Sequence, residues 1–209
     1  MATVFMRATL MLFALAIVLC GVTVARARQA GPSELRYESG MRLVLPGNFR
    51  EWPWVGSGLG MVYEGEAQRP GRPPVFTNVF VNPSSHRAFL DTGRWPDRTI
   101  FILEFRASQT AGSINTAGHY QGALLSVEAE VKDARFPDGW AFYNFGPPSL
   151  PGSSGAAGLP VQKVTAPIED PARCVECHTK STAVERTFVQ FYPTLLEAAR
   201  KHGTVKPGF

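Results

Sequence analysis

The clearest strand in the pattern of apolar and polar residues is 99–108, TIFILEFRAS, rich in β-branched and aromatic residues. Successive side chains of a strand point to opposite faces. Thr99, Phe101, Leu103 and Phe105 therefore share one face, and Ile100, Ile102, Glu104 and Arg106 the other. VFTNVFVN, ending at Asn82-Pro83, predicts a second strand because it is rich in β-branched and aromatic residues. HYQGALLSVEAEVKD predicts a third, twisted or bulged at Gly122, and GWAFYNFG a fourth, entered through the Pro137-Asp138-Gly139 turn.

Helical patterning is scarcer. SSHRAFLDTG predicts a short helix begun at Ser84 or Ser85 and stopped by Gly93. After Pro193, Leu195, Leu196 and Ala199 form an apolar side opposite Glu197, Arg200 and Lys201, with Gly203 as the stop. Asn48 is placed to cap one turn over Phe49–Glu51 before Pro53 ends it. Several strands with short connections and few helices predict an α+β fold, a predominantly antiparallel β sheet with a few packed helices, in one domain. Residues 28–40 are polar and predict a flexible start, and 204–209 a loose tail. The Pro/Gly/Ser-rich stretch 146–171 predicts a long surface loop within a domain spanning 41–203.

Composition adds a leader and removes one class of partner. Arg7, the apolar run Ala8–Val24 and Ala25-Arg26-Ala27 predict a signal peptide at 1–27 and export to the periplasm. An uncleaved anchor is the competing reading, since about 17 apolar residues sit at the bottom of the spanning range. Removing Arg7 and Arg26 leaves 19 basic against 17 acidic side chains, a net of +2. With no dense basic patch interleaved with aromatics, nucleic acid is not an expected partner.

Leader removal takes Cys20 and leaves two cysteines, both in CVECH at 174–178. This is the motif of c-type haem attachment. Two thiols three residues apart on a turn reach the two vinyl groups on one haem edge, and His178 then offers its imidazole to the iron. One covalent haem c per chain is expected, held by Cys174 and Cys177 with His178 as proximal ligand. Three rivals use the same residues: a thioredoxin-like redox pair, a zinc site needing further ligands, and a plain disulfide. His86, His119, Met41 and Met61 are weaker candidates for a sixth ligand. Arg106, Arg135 and Asp133 are candidates to pair with haem propionates or with one another. Parity turns Glu104 away from Leu103, as a structural ion-pair partner.

The stretch CVECHTKSTAVERTFVQFYPTLLEA resembles the C-terminal signature of the cytochrome P-460 family and its cytochrome c′-beta relatives. FREWPWVG, FTNVFVNP, GRWPDRTIFILE and VKDARFPDGWAFYNFG resemble further family segments in the same order, over about residues 41–200. The resemblance implies a β-rich haem domain, a homodimer and a periplasmic redox partner. Family members that oxidise hydroxylamine carry a lysine cross-linked to the haem; the matching position here is Leu103, which has no nucleophilic nitrogen. The resemblance therefore implies a cytochrome c′-beta-like protein that binds small diatomic gases, nitric oxide or carbon monoxide, under an apolar cap. If Leu103 faces the haem, so by parity do Phe101 and Phe105, and Phe76 in FTNV is the other cap candidate. An oxidoreductase acting on hydroxylamine, nitric oxide or other small nitrogen oxides, and an electron-transfer cytochrome, are the alternatives.

Overall fold

Two cores lie on the two faces of one antiparallel sheet, and the sequence of each strand decides which side chain enters which core. A computed structural model of the chain describes residues 34–62, 71, 73–146 and 161–209. The expected leader at 1–27 lies outside the described residues. Leu35–Phe209 form one compact unit. Its main sheet has five strands in order β3-β4-β5-β6-β7: β3 Trp54–Leu59, β4 Val75–Val81, β5 Thr99–Gln109, β6 Tyr120–Lys132 and β7 Trp140–Asn144. All neighbours pair antiparallel. A smaller sheet, β1-β2-β8, joins β1 Tyr37–Glu38, β2 Arg42–Val44 and β8 Val164–Thr165. Three helices complete the described fold: α1 Pro83–Thr92, α2 Ala172–Lys180 and α3 Pro193–Lys201. The architecture is the expected α+β fold.

On the first face Ile100 and Ile102 of β5 meet Val127, Ala129 and Val131 of β6 and Ala141 and Tyr143 of β7. The small sheet and the Phe49–Glu51 turn cover them with Leu43, Phe49 and Trp52. On the second face Phe101 packs with Val81, Trp95 and Phe89, under α1 and the Ala183–Ala199 region. Trp95 stacks on Phe89 at 3.9 Å and meets Phe101 edge-on at 4.7 Å. Gly93 ends α1 with φ +69°, and a Cβ there would sit 2.7 Å from His202 Cβ, so this stop also lets α1 approach the end of α3.

Four boundaries differ from the sequence expectation. Residues 35–40 are not a flexible lead-in: Leu35 is buried and Tyr37–Glu38 pair with β2, because Leu35 completes the first core. The 146–171 stretch is not all loop, since Val164–Thr165 add a strand to β2 and Ile168 N–H donates to Phe142 O; residues 147–160 lie outside the described residues. The tail is tied down as far as Lys206, whose N–H donates to Ala183 O. Helix α1 begins one residue early, at Pro83, whose missing N–H costs nothing at a first turn.

Glu104 is buried on the first face and bonded by Arg50 Nε and Arg106 Nε, each at 2.8 Å. It is the structural ion-pair partner that parity indicated. Asp133 and Arg135 likewise pair with each other, with Arg135 Nη2 2.6 Å from Asp133 Oδ2. The Arg135 guanidinium, working against burial and helped by the Arg135 N–H and the Tyr37 hydroxyl, pulls the Asp133 carboxyl from 3.8 to about 2. A carboxyl whose folded value lies below its unfolded one stabilises the fold above the unfolded value, and loses that contribution as pH falls through the folded one. Because Arg135 is half exposed, the contribution is discounted to about 1–2 kcal/mol. Asp133→Asn should lose that amount in urea unfolding at pH 7 and a smaller amount near pH 2.5. A deficit that stays constant with pH would overturn this assignment.

Candidate haem site

Helix α2 carries the CVECH motif, so the two thiols lie on a helix rather than on the turn expected from the sequence. Residues three and four apart share a helix face. Cys174, Val175, Cys177 and His178 make one half-buried stripe, while Arg173, Glu176, Thr179 and Lys180 are exposed. None of the nine residues is fully buried. The stripe that a haem would cover is therefore only partly covered by protein.

His178 anchors the helix to the sheet. Its ring meets Phe142 and Phe188 edge-on, each at 4.8 Å between centroids. Its Nδ1 lies 2.8 Å from the Arg186 carbonyl oxygen. A carbonyl can only accept, so Nδ1 carries the proton, and Nε2 is the nitrogen with a lone pair for a metal. The same Nδ1 is 3.0 Å from Glu130 Oε1. Burial pulls the His178 imidazole down, but the Glu130 carboxylate and the Arg186 carbonyl together outweigh it and the net shift is upward. Burial also pushes the Glu130 carboxyl up.

Strand register connects His178 to the predicted cap. Phe101 pairs with Glu130 and Glu130 with Phe142; Leu103 pairs with Glu128 and with Val79; Phe105 pairs with Ser126 and with Thr77. Directly paired residues of a sheet share a face. Phe101, Leu103 and Phe105 therefore stand on the face that meets α2. Their surroundings differ. Phe101 is buried against Trp95 and is taken up by the second core, whereas Leu103, Phe105, Val79 and Glu128 are half-exposed. Leu103, Phe105 and Val79 form an apolar strip that is not fully covered and is edged by Glu128, whose carboxylate acts on the Cys174 thiol, a surface that a flat ring can cover.

Phe76 does not belong to this strip. It pairs with Arg106, which puts it on the first face with Asn78 and Phe80. The residue that flanks Leu103 from β4 is Val79, because position 103 is matched by an odd-numbered residue in that register.

Two residues missed from the sequence are Glu128 and Glu130. The alternation in SVEAEVK contained the signal, with Val127, Ala129 and Val131 on one side and both acids on the other. Ordinary parity reads such acids as solvent-facing, and only the packing of α2 against this face brings them inside. The Cys174 thiol feels both. Burial and the Glu128 carboxylate push it up, opposite to the shift that activates a thioredoxin-like nucleophile. Cys174 and Cys177 are not joined to each other. Among the described residues no group of three or more His, Cys, Asp or Glu side chains converges as a metal cluster.

The weaker ligand candidates lie outside the face that meets His178. His119 Nδ1 is 2.6 Å from Ser108 Oγ in an exposed loop, His86 lies in the first turn of α1, the Met41 carbonyl accepts from Tyr143 Oη, and Met61 is exposed beside β3.

Residues 46–189 match the family model of cytochrome P460. That span runs from β3 through β7 and includes the CVECH helix. No curated protein matches the chain.

Proposed function

The chain belongs to the cytochrome P460 family, and from that premise we propose that it is a c-type haem protein that handles small nitrogen compounds and diatomic gases at an open distal side. One haem c, joined through Cys174 and Cys177, rests on His178 in this reading. The supporting observation is His178 itself: Nδ1–H donates a hydrogen bond to the Arg186 carbonyl, leaving Nε2 for iron, on the helix stripe that carries both thiols. Second partners of this kind fix the tautomer and orientation of a metal-bound imidazole. When bound, the haem supplies a redox-active iron with a coordination position for a small molecule. The chain's groups orient the imidazole between Phe142 and Phe188, and Leu103 and Phe105, on the sheet face that carries Phe142, would line the haem.

Family membership taken alone speaks first for an oxidoreductase acting on hydroxylamine or nitric oxide. The finer reading, a cytochrome c′-beta-like receptor for nitric oxide or carbon monoxide, rests on Leu103, which stands where hydroxylamine-oxidising relatives carry a cross-linking lysine. Leu103, Val79 and Phe105 offer no hydrogen bonds and favour a neutral diatomic, whereas Glu128, paired with Leu103 on the same face, can accept one from a polar ligand, so the preference rests on the apolar part of the face. Export to the periplasm fits this reading, as do a homodimer and a periplasmic redox partner. Nitric oxide serves both readings, as substrate or as ligand.

Optical spectra of the ferrous protein with carbon monoxide and nitric oxide, beside hydroxylamine turnover with an artificial electron acceptor, test the proposal. Both gases should bind, and hydroxylamine turnover should stay below about 1 per second. Faster turnover selects the hydroxylamine oxidoreductase. A spectrum unmoved by either gas selects a six-coordinate electron carrier and ends the open-site reading.

A further inference from the structure

The Nδ1 proton of His178 has two acceptors within reach. The Arg186 carbonyl oxygen is at 2.8 Å and Glu130 Oε1 at 3.0 Å. The proton is aimed at the carbonyl. Glu130 Oε1 is completely buried, and among the described residues it receives no hydrogen bond. A buried carboxyl oxygen without a donor is costly and calls for an explanation. Arg186 Nη1 is also buried without a partner, so the backbone that supplies the carbonyl belongs to a residue with its own unsettled polar group.

We propose that Glu130 is the second acceptor of the His178 Nδ1 proton and acts through it as a positioning residue, orienting the imidazole and raising electron density on Nε2. The inference rests on the haem reading above. Binding a metal at Nε2 withdraws electrons from the ring and makes Nδ1–H a stronger donor. A stronger donor gains more from a carboxylate than from an amide carbonyl, since hydrogen bonds to ionised acceptors are roughly twice as strong. Phe142 and Phe188 flank the ring edge-on and restrict its rotation, so Glu130 and the Arg186 carbonyl together select one orientation. The strand makes this possible: Glu130 lies between Phe101 and Phe142 in register, on the face that α2 meets.

More electron density on Nε2 favours ferric over ferrous iron. Glu130→Gln keeps the size of the side chain and an acceptor oxygen but removes the charge-assisted bond. The variant should carry covalent haem, shift the ferric-to-ferrous equilibrium toward ferrous by roughly tenfold, which is 59 mV upward in potential for one electron, and lower the iron–histidine stretching frequency in resonance Raman spectra of the ferrous form. Glu130→Asp, which keeps the charge at a shorter reach, should restore part of both shifts. Covalent haem with unchanged potential and stretching frequency in Glu130→Gln overturns the inference. If Glu130→Gln fails to fold, Glu130→Asp carries the test: an intermediate shift supports the contact and values equal to the parent's overturn it. A parent chain that holds no haem overturns the haem reading and this inference together, whereas a parent with haem and insensitive variants overturns this inference alone.

Discussion

Chain produced with an intact export and haem-attachment apparatus should keep its colour with the polypeptide through acidic acetone extraction, and Cys174→Ser/Cys177→Ser should release all of it. The effect is all or none because each thioether needs its own thiol. Neither cysteine is part of either core and α2 has no fully buried residue, so the serine pair opens no cavity of the kind that unfolds a domain. Loss of colour in the double variant would therefore report on attachment and not on collapse. His178→Ala should keep both thioethers yet lose the strong axial ligand, changing the spectrum without releasing the haem. Haem passing wholly into the solvent from the parent chain would falsify covalent attachment.

The second large effect concerns Leu103. Tryptic haem peptides of the parent chain should come from the Cys174–His178 region alone, and the intact mass should equal polypeptide plus one haem joined by two thioethers. A second haem-linked peptide from Thr99–Arg106 would overturn the uncross-linked reading. Leu103→Lys puts an amine on the half-exposed strip between Val79 and Glu128. The strand already points this position at the face that meets α2, so the variant should gain a second linked peptide and a red-shifted spectrum. An unchanged mass and spectrum would mean that position 103 does not reach the haem, and the apolar cap would have to be sought elsewhere on that face.

Much of the site's raw material was legible, because it is local. CVECH specifies two thiols and an imidazole on one short segment whatever surrounds it. The two-residue period of a strand at TIFILEFRAS separated Leu103 from Glu104, and the structure keeps that separation: Glu104 sits in the Arg50 and Arg106 ion pairs on one face and Leu103 stands on the other. The strands at VFTNVFVN and GWAFYNFG and the helix after Pro193 were equally legible, since periodicity, turn residues and stops all agree there.

Other features were not local, and the sequence was silent or misleading about them. Phe76 and Leu103 both lie in apolar strands, but whether two strands present such residues to the same side depends on their register, and a slip of one residue exchanges the faces. Register placed Val79, not Phe76, beside Leu103. Glu128 and Glu130 follow the pattern of solvent-facing acids until a helix forty residues further on packs over them. Residues Leu35–Glu38 and Val164–Thr165 look like loop because they are short and flanked by polar residues; the first is held by Leu35 in the first core and by Tyr37–Glu38 pairing with β2, the second by pairing with β2.

The sequence by itself thus determined the chemistry that short stretches of chain can carry: the attachment motif, the two-faced strands, the breaks between them and the absence of a lysine at position 103. Tertiary structure alone decided which of the two sheet faces receives the motif helix, that Phe101 is spent on the core while Leu103 and Phe105 stay half-exposed, and that a buried carboxylate stands 3.0 Å from the imidazole. The physical reason is one of range. Side-chain alternation and helical spacing follow from the backbone geometry of neighbouring residues, whereas register and the burial of a charged group depend on contacts between segments far apart in the chain, which no local pattern encodes.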